Sequence, residues 1–188
     1  MPFYLLWLMW YYNNYSDVMC LYSVMHGSYG LLWYMKHIAF PDKTYLQKCT
    51  IPCAVLCWLT LLGPYMIPAY LLASGQCYSN YGGELKDLPE KNHNLETEPS
   101  LSRKYLSLLA YILGVCLTIA SDCQKNFILK YVSKRPLLIQ DGLFSKTRNP
   151  NYLGELMLYG SFATLTNHYI SYLVILFAYV SIFPARIY

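Results

Sequence analysis

The sequence is organised around residues 122–155, which read DCQKNFILKYVSKRPLLIQDGLFSKTRNPNYLGE. This stretch, here called the basic stretch, holds six lysine or arginine residues against three acidic ones and lies between apolar runs. Because charges are costly inside lipid, such a stretch is expected at a membrane surface. A basic segment there can hold an anionic headgroup or the phosphates of a nucleotide cofactor. We therefore expect the functional site here.

The composition predicts a membrane protein. The chain has 188 residues, of which 56% are hydrophobic and 13% charged, about half the charged share of a soluble domain. The apolar residues gather in runs bounded by charge clusters, as in multi-span proteins. We predict a single all-α membrane domain, residues 1–188. The net charge of +4 is modest, and no RNA-binding signature is present, so no nucleic-acid partner is expected.

The apolar runs predict a polytopic helix bundle of about five spans. Residues 1–17 are predicted to form an interfacial segment, or else the remnant of a longer first span, because the apolar run there is short and rich in Trp and Tyr. It has no basic region before it, so no cleaved signal peptide is expected. A hydrophilic loop is predicted at 74–102, and Pro64 and Pro68 should kink the second span. The predicted spans cover residues 18–40, 51–72, 105–120, 152–165 and 169 to about 186.

The distribution of basic residues predicts the orientation. Lys43 and Lys48 follow the first span, and the six basic residues of the basic stretch follow the third. Basic residues in short loops favour the cytosolic side. We therefore expect the basic stretch in the cytosol and the hydrophilic loop on the opposite side.

The cysteines predict neither a metal site nor disulfides. Seven are present, without a CxxC pair or a His-rich zinc spacing. Cys49, Cys53 and Cys57 share a helix face, which admits a metal site. Small packing residues in a membrane helix are the favoured interpretation.

Several residues near the basic stretch have both a structural and a functional interpretation. Lys125 can anchor a span at the interface or bind phosphate. Phe144 offers a ring face for a base, or packs under the loop. Arg148 carries the planar fork suited to phosphate. Asn151 can cap a helix or contact a carboxamide. Glu155 lies one helical turn further on and needs a partner, either Arg148 or a ligand group.

Three motifs follow one another in the basic stretch: Asp122-x-Gln124-Lys125, Asp141-Gly142-Leu143-Phe144 and Arg148-x-Pro150-Asn151-Tyr152-Leu153-Gly154-Glu155. In this order they resemble the C-terminal domain of the steroid 5-alpha-reductase family. The similarity is greatest to its branch known as domain of unknown function 1295, and it extends to the sterol C14-reductases. The last motif is shared with the isoprenylcysteine carboxyl methyltransferases. A weaker similarity lies in residues 26–42, in the motif HGSYG with Trp33 and Lys36.

The resemblance implies a multi-span protein of the endoplasmic reticulum membrane that binds NADPH and reduces a carbon–carbon double bond. The substrate would be a lipid such as a steroid, a sterol or a polyprenoid. The candidates for a catalytic group, above all the proton donor, are Glu155, Tyr29 and His26. The cofactor-binding residues implied at matching positions are Asp122, Lys125, Phe144, Arg148, Asn151 and Tyr152.

Some departures from the family pattern keep other functions open. Phe144 replaces a common Trp, Asn149 a common His, and Leu129 an expected basic residue. The resemblance also implies a basic, aromatic tail after the last span, which is absent up to Tyr188. One alternative is an S-adenosylmethionine-dependent methyltransferase, although that cofactor has no phosphate for the basic cluster to bind. The other is a truncated, non-catalytic relative with a structural or lipid-binding role.

Overall fold

The structure, a computed structural model, describes residues 1–41, 48–79, 99–132 and 138–182. This part of the chain contains helices and no strand, which confirms the all-α prediction. Its α-helices are α1 (Pro2–Tyr11), α2 (Asp17–Ala39), α3 (Ile51–Cys57), α4 (Ile67–Ala73), α5 (Gln76–Ser79), α6 (Leu101–Phe127), α7 (Pro150–Thr166) and α8 (Tyr169–Ile182).

Two helical segments are long and apolar enough to cross a membrane, Ile51–Ala73 and Leu101–Val132. Only 25% and 33% of their most apolar windows are buried, whereas the core helix of a soluble protein is mostly buried. A shorter apolar helix covers Tyr169–Val180. The structure therefore supports two of the five predicted spans, and the others stay predictions.

The second predicted span is broken at Pro64, as expected. After α3 ends at Cys57, a π-helical turn covers Trp58–Leu62 and a 3₁₀ turn covers Pro64–Met66 before α4 begins. Proline lacks the N–H that a continuing helix needs. Pro68 lies in the first turn of α4, where proline is tolerated, so the kink belongs to Pro64.

Helix α6 is longer than the sequence predicts. It was expected over 105–120, but it runs from Leu101 to Phe127 and continues as a π-helical turn to Val132. The predicted span lies within this helix. Polar residues mark where a helix leaves the apolar layer, and a helix can continue beyond that point, so the membrane boundary stays a prediction. The first third of the basic stretch is therefore helical. The predicted hydrophilic loop lies mostly at 80–98, outside the described residues.

Helices α6 and α7 pack closely at two glycines. A Cβ atom at Gly154 would lie 2.7 Å from the Thr118 nitrogen and 2.8 Å from the Gly114 oxygen. A Cβ at Gly114 would lie 2.7 Å from the Gly154 oxygen and from the Leu158 nitrogen. Small residues allow such close approach, which dispersion contacts and short polar contacts then stabilise. This contact between Gly114 and Gly154, here called the glycine crossing, fixes the position of the start of α7 along α6.

The turn between α7 and α8 has the predicted position. Asn167 ends α7 with a left-handed φ of 49°, a conformation that asparagine tolerates. The His168 ring nitrogen Nδ1 accepts a hydrogen bond from the Ile170 backbone N–H at 3.2 Å. Thr166 donates to the Ser171 hydroxyl at 2.8 Å. These bonds satisfy groups that the two helix ends would otherwise leave unpaired.

The N-terminal helix α1 packs into the bundle on one face. Leu5 and Leu8 are buried in the core, where α1 contacts α2 and α4. Phe3 and Trp10, on the other side, are exposed. The outward aromatic side chains are compatible with the predicted interfacial position, which stays a prediction.

Candidate functional site

An ion pair joins α2 to the far part of α6. The Lys36 amine lies 2.6 Å from the Asp122 carboxylate, and the two side chains are 17% and 22% exposed. Both residues belong to the motifs singled out in the sequence. Partial burial strengthens the attraction between the charges relative to a fully hydrated pair. Asp122, predicted to bind the cofactor, is thus paired with Lys36 and holds two helices together.

Gln124, near the end of α6, holds the turn at residues 141–143. Its Nε2 donates to the Asp141 carbonyl at 2.7 Å, and its Oε1 accepts from the Leu143 N–H at 3.1 Å. Between these two bonds, Gly142 has a φ of 60°. The positive φ favours glycine, and a Cβ there would lie 2.9 Å from the Gln124 side-chain carbon, so the Gln124 amide would have to shift. The amide of Gln124 therefore ties residues 141–143 to α6.

The basic residues Lys125 and Arg148 are exposed near this turn, and Phe144 is half-buried. Neither basic side chain forms a hydrogen bond or ion pair with the described part of the chain. Lys134 and Arg135, also in the basic stretch, lie outside the described residues. Both cations are consequently available to an anion at the end of the bundle where α6 passes into α7.

The first turn of α7 presents an amide side chain. The helix begins after Asn149, whose side chain makes no capping hydrogen bond. Asn151 is half-buried, and its backbone carbonyl accepts from the Thr118 hydroxyl at 3.5 Å. Within the described chain, no hydrogen bond engages its side-chain amide. The capping role considered for Asn151 is therefore not observed, and its amide can meet a ligand.

Glu155 lies one turn further along α7, among tyrosines. It is half-buried and interacts electrostatically with the phenols of Tyr159 and Tyr179. The Tyr179 hydroxyl donates to the Tyr152 carbonyl at 2.9 Å. The Tyr159 and Tyr29 hydroxyls are 3.4 Å apart. An acidic group, tyrosines of α7 and α8 and the predicted catalytic Tyr29 of α2 thus form one polar cluster.

His26 is buried deeper in the bundle. Its ring stacks on Phe162 with centroids 3.7 Å apart, and its Nδ1 lies 3.3 Å from the Tyr22 carbonyl. If Nδ1 carries the proton for that bond, Nε2 is left as an acceptor. Nε2 is buried and has no hydrogen-bond partner in the described chain, and the same holds for the nearby Tyr65 hydroxyl. Two unpaired buried polar atoms mark this region as one that a polar ligand group or water can fill.

A cleft opens between α2 and α6 beside these groups. Its polar lining comprises Tyr29, Trp33, Lys36 and Thr118, and the remainder is aliphatic. It therefore connects the Lys36–Asp122 ion pair with the tyrosine cluster. The cleft has room for about one water molecule, so it is a polar gap between the two helices and not a preformed small-molecule pocket.

The structure brings most of the predicted site residues to two neighbouring regions. Lys125, Phe144, Arg148 and Asn151 lie where α6 passes into α7, while Glu155 and Tyr29 share the tyrosine cluster. His26 lies one turn before Tyr29 on α2, in the buried core. Sequence reasoning missed the tyrosines. Tyr159 follows Glu155 by one helical turn, a spacing that does indicate contact, whereas Tyr65 and Tyr179 carry no local signal.

A comparison with protein-family models finds one match in the second half of the chain. The family described as "Protein of unknown function (DUF1295)" matches residues 88–185, which include α6, α7 and α8. No curated protein and no solved structure matches the chain.

Proposed function

The chain belongs to the DUF1295 family, and from that premise we propose that it is a membrane-embedded, NADPH-dependent reductase of a lipid carbon–carbon double bond. The lipid is a steroid, a sterol or a related polyprenoid. We place the protein in the endoplasmic reticulum membrane, with the end where α6 passes into α7 in the cytosol. Family membership agrees with the branch that the ordered motifs resemble. The activity itself comes from the wider resemblance to steroid 5-alpha-reductases.

The observation that carries the proposal is a set of polar side chains without partners at one end of the bundle. The cations of Lys125 and Arg148 and the amide of Asn151 have no side-chain partner in the described chain. Two cations suit the phosphates of NADPH, and an amide suits its carboxamide. The half-buried ring of Phe144 adds a face for stacking. The residues present therefore fit this cofactor.

In the proposed mechanism the protein binds the cofactor and the lipid, orients them, and supplies a proton to the lipid double bond. NADPH, when bound, supplies the hydride. Lys125 and Arg148 would hold its phosphates, and Asn151 would hydrogen-bond its carboxamide. The lipid enters between apolar helices, and the small cleft lined by Tyr29 and Trp33 must widen to receive it.

A proton must reach the second carbon of the double bond, and Tyr29 is the donor we favour among the three candidates. It borders the cleft, and its hydroxyl is 3.4 Å from that of Tyr159. Tyr159 is close enough to return a proton to Tyr29, and Glu155 acts electrostatically on Tyr159. His26 is stacked on Phe162 in the core, so its predicted catalytic role depends on a substrate that reaches that depth.

Binding measurements on the purified full-length chain test the proposal. We expect NADPH to bind, and Arg148→Ala and Lys125→Ala each to weaken binding about tenfold or more, the value of a charge-assisted contact. Lys146→Ala removes an exposed charge from the same stretch outside the motif positions and serves as the matched control. Binding of S-adenosylmethionine in place of NADPH would support the methyltransferase. Binding of neither cofactor would support the non-catalytic relative.

Two substitutions on α7 test the site itself. Asn151→Ala should reduce the stabilisation that NADPH gives to the folded protein, because it removes a ligand contact rather than a cap. Glu155→Gln keeps the shape but removes a titratable group, so it should alter the pH dependence of turnover. A full NADPH-induced shift in Asn151→Ala would remove the asparagine from the site.

A further inference from the structure

Three thiols in and just before α3, those of Cys49, Cys53 and Cys57, have no role in the proposed reaction. All three are free and exposed. Cys53 and Cys57 lie one turn apart on α3, and Cys49 lies two residues before the helix begins. Helix α3 has no buried residue. The interpretation of these cysteines as packing residues between helices is therefore not supported, since their side chains are exposed and no residue of α3 is buried within the described part of the chain.

The position of Cys49 along the chain corresponds to the boundary of the apolar layer. The apolar segment Ile51–Ala73 has 23 residues, close to the roughly 20 that cross a bilayer. Cys49 precedes it by two residues, and the exposed Lys48 precedes Cys49. Lysine at such a boundary places its amine among the headgroups. The Cys49 thiol is thus expected at headgroup depth, with Cys53 one turn further into the segment.

The local chemistry argues against a metal or a reactive thiolate. In the described part of the chain, no group of three or more His, Cys, Asp or Glu residues could hold a metal ion. A hydrogen bond to Cys53 raises the pKa of the Cys49 thiol. Redox-active and catalytic cysteines have lowered pKa values, because the thiolate is the reactive form. An exposed, protonated thiol at a membrane boundary instead suits an enzyme-catalysed modification.

We propose that Cys49 is an S-acylation site, with the neighbouring Cys53 as a second acceptor. Thiols beside a membrane segment are the usual acceptors of reversible long-chain acylation. The Cys49 sulfur attacks the carbonyl carbon of a long-chain acyl-coenzyme A. The new C–S bond replaces the bond to the coenzyme, whose sulfur takes up the proton lost by Cys49, and nothing is oxidised or reduced. An acyltransferase supplies the base, since the thiol is protonated.

The test uses the full-length chain expressed in eukaryotic cells. Free thiols are blocked, thioesters are cleaved with hydroxylamine, and the released thiols receive a mass tag. We expect a hydroxylamine-dependent shift in the wild-type chain, a reduced shift in Cys49→Ser, and loss of the shift in the Cys49→Ser/Cys53→Ser double variant. Unchanged elution of the variants from a sizing column in detergent shows that they are folded.

Two other exposed thiols provide controls. Cys20 lies near the start of α2, and Cys116 lies midway along α6. Cys20→Ser and Cys116→Ser should keep the full shift. An untagged wild-type chain overturns the proposal, and so does a shift that persists in the double variant. Because the readout requires no NADPH, failure of this proposal and failure of the proposed reductase activity are distinguishable.

Discussion

The two ends of the helix bundle differ in how their polar side chains are used. At the end where α1 turns into α2, Asn14 donates to the Ala73 and Leu72 carbonyls at 3.0 and 3.3 Å. The Asn14 side-chain oxygen accepts from the Ser16 hydroxyl at 2.8 Å. We call this the closed end, because its amide is fully used in joining α4 to the turn before α2.

At the open end, where α6 passes into α7, Gln124 makes an equivalent clamp on residues 141–143. Beside it, the cations of Lys125 and Arg148 and the Asn151 amide are without side-chain partners in the described chain. Both ends contain an amide that fixes a turn, but the three motif side chains without a partner in the described chain lie at the open end. The comparison suggests that one end is built for stability and the other for binding.

The largest expected effect on stability comes from a substitution at the glycine crossing, which lies between the two ends. Gly154→Ala places a Cβ 2.7 Å from the Thr118 nitrogen, so α6 and α7 must separate. We expect a loss of about 3 kcal/mol in unfolding free energy, the upper part of the range for overpacking. Gly160→Ala, on the same helix with nothing within 4 Å, is the control and should be neutral or slightly stabilising. Equal thermal stability of the two variants would contradict the crossing.

The next effect distinguishes the ion pairs at the two ends. Asp122→Asn leaves Lys36 without its partner, and because both groups are mostly buried we expect a loss of about 2 kcal/mol. Asp17→Asn at the closed end is the control, since Asp17 is 4.0 Å from Lys104 and its side chain is 91% exposed. That change should stay within about 0.5 kcal/mol. Similar losses in denaturant titrations of the two variants would remove this difference between the ends.

A smaller effect compares the two amide clamps. Gln124→Leu and Asn14→Leu should each lower stability by about 1–1.5 kcal/mol, the net value of the hydrogen bonds lost. Only Gln124→Leu should also weaken NADPH binding, because residues 141–145 lose their attachment to α6. Weakened binding in Asn14→Leu would show that the closed end also contributes to the ligand site.

The smallest effect on stability is expected at the uncommitted cations. The unfolding free energies of Lys125→Ala and Arg148→Ala should lie within about 0.5 kcal/mol of the wild-type value, because exposed side chains without partners usually contribute little to stability. Their NADPH affinities, in contrast, should fall, and the difference from wild type should shrink at high salt. A clear loss of stability without cofactor would mean that these cations hold the fold together.

Local signals predicted the parts of the fold that depend on neighbouring residues. The break at Pro64 follows from the missing proline N–H, and the start of α7 at Pro150 follows from the asparagine–proline entry. The turn at 166–168 was predicted correctly for the same kind of reason. The end of α6 could not be predicted in this way, since composition reports membrane depth rather than helical hydrogen bonding. Span count and orientation remain predictions.

Contacts between distant residues could not be predicted in this way. Lys36 and Asp122 are 86 positions apart, and no spacing rule connects them. A charge in an apolar helix needs a partner, but the position of Lys36 in the sequence does not indicate which one. The use of Gln124 to hold a turn 17 residues later was equally invisible. The site residues were found through their motifs, and their bonding partners only through the structure.

The glycine crossing has a consequence for how the chain assembles. Helices α6 and α7 follow each other closely in sequence and share the most extensive contact in the bundle, so they can pair before any distant segment arrives. Local pairings form faster than those that close long loops. We therefore expect the α6–α7 hairpin to form first, with α2 docking onto it later through Lys36. In that order, the open end takes shape while the closed end is still incomplete.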